Sequence, residues 1–452
     1  MRADTAPRGR LGTLALSMVL LLAGVCRGSD LMDAYRLAQA NDPTFQSAQH
    51  ALDAARQKKP EAFSGLLPVL SATGSDGRTV GRTRYTDTPE INRGYDNDQW
   101  TLQLVQPIFR ADRLLLYGEA RTTVDQALAQ YEAAREDLIL RLTRAYFDVA
   151  VAESLVTVAR AQVDALNEQL NAARHSFESG VASVTDVDDT RARAAQAQAQ
   201  QVAARSNLES AHAQLASIIG EEPDSLALLR TDVSLPRPEP ADVTTWVDQA
   251  AGENPNVKAA EALVRTAEYE VDRSRSQRLP TVDLVASYGG NYAGGNITEP
   301  NNYYTNVRDK QISVQVSLPL LDGGGMHAQL AEARAQHARA QSELTKAKRQ
   351  AALDARQSFA AALSGASLVE SLQTAVAAGQ SSVKGNTIGY GLGLRINSDV
   401  LNAELQLYNS MQDLTKARYD TLYAGLKLKA ASGQLAEDDV RAINVILQSA
   451  LP

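Results

Sequence analysis

The sequence predicts an internally duplicated α+β membrane protein in which long coiled-coil helices run into amphipathic strands. Three observations predict it: one pattern written twice along the 452 residues, an apolar heptad too long for a compact domain, and paired segments that alternate apolar with polar residues. Composition agrees. Aromatic residues are only 5%, with six Phe and two Trp, thin stock for a thick core but suited to helices packed in a wall. The net charge of −8 argues against nucleic acid as a partner.

The chain opens like an export signal. Arg2, Arg8 and Arg10 precede an apolar stretch, Leu11 to Val25, that is short for a membrane span and is followed by small residues. Residues 1–28 are therefore read as a signal peptide cleaved after Cys26 or Gly28. The branched Val25 before Cys26 spoils a lipoprotein signal. Loss of the single Cys leaves no disulfide or thiol chemistry. No later run suits a transmembrane helix, so any crossing must use strands closed into a barrel.

The duplication sets the domain plan. Pro43 recurs as Pro255, an offset of 255 − 43 = 212, and Leu67-Pro68 recurs as Leu279-Pro280 in the same register. Gln106-Pro107-Ile108-Phe109 is matched by Leu318-Pro319-Leu320-Leu321, and Gly180 with Asp186-Val187 by Gly393 with Asp399-Val400 after a slip of one residue. The first repeat covers 29–222, with strands over about 66–109 and long helices over about 112–220. A linker, 223–243, is marked by Pro236, Pro238 and Pro240. The second repeat covers 244–438, with strands over about 279–321 and long helices over about 326–432. A tail, 439–452, ends the chain.

Each repeat begins with a helix, Leu31 to about Phe63 and Thr244 to about Arg278, broken near its start by Asn41-Asp42-Pro43 or Glu253-Asn254-Pro255, since proline disfavours helix in the residue before it. A strand pair follows. Trp100, Leu102 and Leu104 alternate with Thr101, Gln103 and Val105. Val282, Leu284, Ala286 and Tyr288 alternate along one later strand, and Ile312, Val314, Val316 and Leu318 along its partner. Period two with one apolar and one polar face suits a strand between lipid and water, and equally a half-buried strand of a soluble sheet.

A very long helix comes next. From Leu138 the apolar positions step by four and three through Leu142, Ala145, Val149, Ala152, Val156, Ala159, Val163, Leu166, Leu170, Ala173 and Phe177, a sustained heptad seam. No Pro or Gly interrupts Glu119 to Ser179, a rod on the order of 90 Å long. After Gly180 a shorter helix runs to about Ile219, Ala/Gln-rich and weakly apolar on every face. The second repeat follows suit from Met326 to about Thr387 and from Asn397 to about Ala431. Four strands cannot close a barrel, and open edges cannot face lipid. Closed membrane barrels start at about 8 strands, so several chains must share one, and a symmetric ring is the natural closure.

With these features the sequence resembles the TolC family of outer-membrane efflux and secretion proteins over nearly the whole mature chain. The carriers are the duplicated halves, Asn41-Asp42-Pro43, Gln106-Pro107-Ile108-Phe109, Leu318-Pro319-Leu320-Leu321-Asp322-Gly323-Gly324, Phe177-Glu178-Ser179-Gly180 with Thr185-Asp186-Val187, and Tyr390-Gly391-Leu392-Gly393-Leu394-Arg395 with Asp399-Val400-Leu401. The resemblance implies a homotrimer sharing a twelve-stranded barrel, four strands per chain, continuous with a coiled-coil helical barrel in the periplasm. It implies as partners a periplasmic adaptor and an inner-membrane ABC exporter or proton-driven pump, with outer-membrane lipid around the barrel. The family narrows at its periplasmic end, where Asp399 matches one constricting acid and Asn402 replaces the second, weakening charge selectivity. By position alone, Asp399 reads equally as a helix-capping residue. Tyr390 and Arg395 match one side of the family's closing network and Thr185 and Asp186 the other, with Arg395 paired to Asp186. Gly180 and Gly393 mark the helix tips where the adaptor docks.

Other chemistry finds no support. Gly323-Gly324-Gly325 lacks the Lys-Ser/Thr of a phosphate loop. The five His show no metal-ligand spacing, and no Ser/His/Asp triad is arguable. No cofactor, metal or enzymatic activity is expected. The rival reading is a soluble periplasmic coiled-coil scaffold or adaptor, which leaves the repeated strand pairs unexplained. Cargo is open between secreted protein and small molecules. The short tail leans to protein secretion.

Overall fold

A computed structural model describes residues 30–223, 226–230, 235–297 and 303–448. The expected signal peptide and the Cys26 question lie outside the described residues. In chain order the elements are α1 Leu31–Asn41, α2 Pro43–Ser64, β1 Val69–Thr83, β2 Ile91–Phe109, α3 Ala111–Glu178, α4 Val184–Ile219, β3 Leu228–Leu229, α5 Val243–Glu253, α6 Pro255–Ser276, β4 Thr281–Ala293, β5 Thr305–Ser317, α7 Gly325–Gly391, α8 Asn397–Ala431, α9 Glu437–Ile446 and β6 Leu447–Gln448. No described helix is long and apolar enough to cross a membrane.

The four long strands form one antiparallel sheet in the order β1-β2-β4-β5, so β1 and β5 are its edges. The register gathers the alternating residues of both repeats onto common faces. Leu70, Leu104, Ala286 and Ile312 make one cross-strand row, and Ala72, Leu102, Tyr288 and Lys310 a second row on the same face. The row between them, on the opposite face, is Ser71, Gln103, Ser287 and Gln311. In these rows one face is predominantly apolar and the other polar, although Val69, Val105 and Val285 form an apolar row on the second face, and Asp76, Asp98 and Arg308 lie on the first, farther from the helices. No described residue covers the apolar face at β5: Ile312 is 78% exposed, Val314 and Val316 each 64%. Farther from the helices, Trp100 stands edge-on to Tyr288 with ring centroids 5.1 Å apart, and the Lys310 ammonium lies 5.3 Å over the Tyr288 ring.

Below the sheet, α2, α3, α6 and α7 run side by side. Farther down, α3 pairs with α4 and α7 with α8. At 68 residues α3 is about 100 Å long. Its burial is broad over Leu138–Ala152, where α1, the end of α4, α8 and α9 converge on it. There two buried tyrosines anchor the segment after α4. The Tyr146 hydroxyl donates to Ala227 O (3.1 Å) and accepts from Ala227 N (2.9 Å), and the Tyr419 hydroxyl accepts from Leu229 N (2.9 Å). Below this collar α3 narrows to a seam of Ala159, Leu166, Leu170 and Ala173.

Several details differ from expectation. Phe177, assigned to the seam, is 47% exposed because it lies beyond the last residues that α4 covers. The helix α4 is not wet on every side: Val187, Thr190, Ala194 and Ala197 form a buried stripe against α3 and α8. The small side chains let the backbones approach closely, which a scale weighted to large apolar residues misses. The helix α7 runs through Gly385 and Gly389 to Gly391. The tail carries α9, whose Val440 and Ile443 complete the collar.

The Asn-Asp-Pro break is a docking device as well as a helix break. Asp42 caps α2, accepting from Phe45 N at 2.7 Å. It also pairs with Arg141 of α3 at 2.8 Å while only 2% exposed. Asn41 donates to Ile219 O at the end of α4 (2.8 Å). In the second repeat, Asn254 donates to Ala431 O at the end of α8 (3.0 Å) and caps with its own oxygen, 2.9 Å from Asn256 N. Burial raises the Asp42 pKa, but the Arg141 hydrogen bond and the Phe45 amide outweigh it and hold the carboxyl below its ordinary value. Its contribution is thus present above the ordinary carboxylate range and lost as pH falls through the lowered value. Asp42→Ala is expected to cost about 2 kcal/mol, because it removes a cap and leaves the Arg141 guanidinium with Asp137 as its one remaining carboxylate. Asp42→Asn, which keeps the cap oxygen, should cost less. Urea unfolding followed by helical circular dichroism checks both.

Candidate functional site

The ends of the two helix pairs, farthest from the sheet, carry the predicted site residues. Both turns are built alike. Gly180 has φ of +75° and so does Gly393, with no atom within 4 Å of where a Cβ would stand. Gly180 N donates to Phe177 O (2.9 Å) and Val181 N to Ser176 O (2.9 Å). Gly393 N donates to Tyr390 O (3.0 Å) and Leu394 N to Gly389 O (2.8 Å). This is the Schellman pattern, and the left-handed backbone, not crowding, demands glycine there. Around these turns Val181, Val184, Leu392, Leu394 and Ile396 are exposed.

Asp186 lies in the first turn of α4 and forms a capping box with Ser183. Its Oδ2 accepts from Ser183 Oγ (3.0 Å) and Ser183 N (3.1 Å). Thr185 stands beside it, exposed. Tyr390, in the last turn of α7, is near enough to Asp186 to feel its charge: burial, then that carboxylate, push the phenol pKa up. Within one protomer Arg395 does not make the expected pair with Asp186. Its aliphatic stem lies over Gly389 and its guanidinium faces Asp399, one turn on, at 3.8 Å. Asp399 does not cap α8, whose N-cap is Ile396 with no side-chain bond. It occupies the first turn, where the helix dipole favours an acid.

What fastens α8 to α3 and α4 is a ladder of polar contacts that the sequence did not reveal. Asn397, 6% exposed, donates to Thr190 Oγ1 at 2.9 Å and lies 3.4 Å from Asp186 O. One turn on, Asn402 Oδ1 accepts from Arg193 Nη2 at 3.3 Å. Next, Glu404 Oε1 accepts from Gln169 Nε2 of α3 at 2.5 Å. The position expected to form a second constriction is therefore tied sideways to α4. Asn397 opens a helix and Glu404 is a lone carboxylate between Ala403 and Leu405, so each reads in sequence as a solvated residue. The one available signal is that both fall in phase with Val400 and Leu401, which are buried.

No group of three or more metal-ligating side chains occurs among the described residues.

With this geometry in place, comparison with known proteins is informative. The sequence profile described as Outer membrane efflux protein matches residues 34–221 and again 246–434. The chain is 32% identical over 435 residues to the alkaline protease secretion protein AprF of Pseudomonas aeruginosa, covering 94% of this chain and 89% of that relative. It is 30% identical over 431 residues to the outer membrane protein TolC of Escherichia coli, covering 93% and 86%. Its fold matches the crystal structure of the outer membrane protein VceC from Vibrio cholerae with a TM-score of 0.77 at 20% identity, over 90% of this chain and 97% of that one.

Replacing Asn397 with Leu removes its donation to Thr190 Oγ1, whose hydroxyl keeps its own bond to Asp186 O at 2.7 Å, and buries an apolar side chain among polar groups, at about 0.5–1.5 kcal/mol. Amide hydrogen exchange across residues 393–402 is expected to quicken by roughly tenfold. An unchanged rate would show that this rung holds nothing.

Proposed function

The chain belongs to the outer membrane efflux protein family, and from that premise we propose that three copies close one twelve-stranded barrel over a periplasmic helical tube, a passive conduit for a secreted protein. The protein is an outer-membrane channel for secretion or efflux, with its helices in the periplasm. The observation that carries the trimeric reading is the sheet: four strands of 13 to 19 residues, two open edges, and an apolar face left bare. About 9–11 residues suffice for a strand to cross a bilayer, and edges exposed to lipid must be paired. Pairing β1 of one copy with β5 of the next closes the ring and turns the apolar rows to lipid. Trp100 and Tyr288, with Lys310 beside them, then lie at the level of an interfacial aromatic girdle. A soluble scaffold would need to cover that face, and none of the described residues does.

Protein cargo is favoured over small molecules by the likeness to a protease secretion protein. The partners of this reading are a periplasmic adaptor docking on the exposed apolar tips around Gly180 and Gly393, and an inner-membrane exporter behind it. Three Asp399 carboxylates ring the periplasmic entrance and favour cations. Tyr390 and Arg395 close it against Thr185 and Asp186 across the boundary between copies.

Two experiments test this. Ile312→Arg puts a charge on the lipid face one row inside the girdle, at about 1–2 kcal/mol per copy, and is expected to deplete heat-modifiable trimers in outer-membrane fractions. Its neighbour Gln311→Arg, on the lumen face, is expected to leave them intact, and equal behaviour of the two refutes the barrel. Combining Tyr390→Phe with Arg395→Ala is expected to raise trimer conductance in planar bilayers. Unchanged conductance removes those residues from the closing network.

A further inference from the structure

Four carboxyl side chains are buried among the described residues: Asp42, Glu136, Asp283 and Glu404. Asp42 is paired with Arg141 and Asp283 with Arg110, and Glu136 lies near Arg135 and Lys258. Glu404 has no cation in ion-pair reach. It is 9% exposed and sits on α8 little more than a turn past Asp399, in contact with α3. Its Oε1 accepts from Gln169 Nε2, while its Oε2 is shut from solvent without a partner. The Oε1 of the same Gln169 is also buried without a partner. Two side chains that already share one hydrogen bond thus each present one orphaned acceptor. A single proton on Glu404 removes both deficits, because a carboxylic acid and a primary amide form a two-bond ring, the acid O–H donating to the amide oxygen and the amide N–H to the acid carbonyl. Without that proton a charge stays buried beside a cavity of about 20 Å³, lined by Gln162, Leu166, Arg193 and Leu401, room for one water at most.

We propose that protonated Glu404, ring-bonded to Gln169, latches α8 onto α3, and that loss of this proton releases α8 and loosens the entrance that Asp399 lines. The link to the entrance rests on the gate reading above; the latch itself does not. The surroundings agree. From α4, Arg193 lines the same cavity but donates to Asn402. From α3, Asp164 shares Tyr408 with Glu404, and the Tyr408 phenol is raised by burial and then by both acids. On α7, antiparallel with Gly379 against Leu407 and Gly389 against Arg395, the charged residue at this level is Lys384, which is exposed. Burial pushes Glu404 up to about 7. A group whose docked value is raised favours docking fully below its ordinary value, and that contribution is lost as pH rises through about 7.

The test uses the full-length trimer in lipid with spin labels on α4 and α8 near Arg193 and Asn402, read at pH 5 and pH 8 together with conductance. The wild type is expected to widen the α4–α8 spacing and raise conductance at pH 8. Glu404→Gln, a permanent neutral mimic, is expected to stay narrow at both. Gln169→Leu is expected to be wide at both. A wild-type spacing that does not move, or a Glu404→Gln trimer that moves as the wild type does, overturns the latch. Movement of the spacing with no change in conductance upholds the latch and refutes the gate reading.

Discussion

The architecture depends on one unmet requirement: a four-stranded antiparallel sheet whose two edge strands have no partner among the described residues. Backbone hydrogen bonding is obligatory away from water, so β1 and β5 cannot rest as edges in lipid. The same sheet fixes the helices below it. Each long helix leaves the end of a strand, and four helices set side by side continue four strands set side by side. Among the described residues the wall is one element thick except at the collar level, where α1, α5, α9 and the β3–β6 pair thicken it, which is why the chain manages with so few aromatics.

Duplication supplied the plan, and the two repeats then solved equivalent local problems differently. At the helix break, the first repeat divides the work between Asn41, which reaches α4, and Asp42, which caps and recruits Arg141. The second gives both reaching and capping to Asn254. At the strand-to-helix junction, Arg110 clamps Asp283 in a two-bond pair at 3.0 and 2.6 Å. The equivalent Asp322 instead caps α7 by accepting from the amides of Gly324 and Met326. An ion pair to another strand is stiffer than a local cap. The α3 junction is therefore bound to the sheet, and the α7 junction is bound only to itself. The second repeat, which carries Asp399 and Glu404, has the more self-contained hinge.

Much of this was legible in the sequence because it is periodic or repeated. Alternation gave the strand faces, the heptads gave α3, and the shared register gave the equivalence of the tips. What escaped was contact between elements far apart in sequence. Asn397 meeting Thr190 depends on the rotational phase of two helices, which no single-helix pattern encodes. The pair strands β3 and β6 have two residues each, too few to show a period. The helix α9 did carry a signal, three acids in its first turn ahead of Val440 and Ile443, but at the end of a chain such a segment is hard to tell from a solvated tail. The pairing of Arg395 with Asp399 within the protomer has a similar origin: a residue four positions on along the chain is always within reach, whatever lies across a boundary.

The grip on α8 weakens toward the tips, and the chemistry of that gradient fits a gate. Around Leu138–Ala152 the packing is apolar and broad, worth about 1.5–3 kcal/mol for each large side chain buried. Near the tips it thins to a narrow stripe in which Val187, Val400 and Leu401 stand among small residues, and single polar contacts supplement it. A neutral hydrogen bond exchanges one partner for water at a net of about 0.5–1.5 kcal/mol, so the three rungs add only a few kcal/mol to that stripe. An equilibrium of that depth lies within reach of a partner with modest preference for one state, since about 5.5 kcal/mol of differential affinity reverses a population from 1:99 to 99:1. A seam as broad as the collar carried to the tips would have made a stiffer tube with no such range. Its loss is also specific in place: polar rungs break one at a time and leave the collar untouched, so the lower ends of α7 and α8 can swing while the wall above them stays closed.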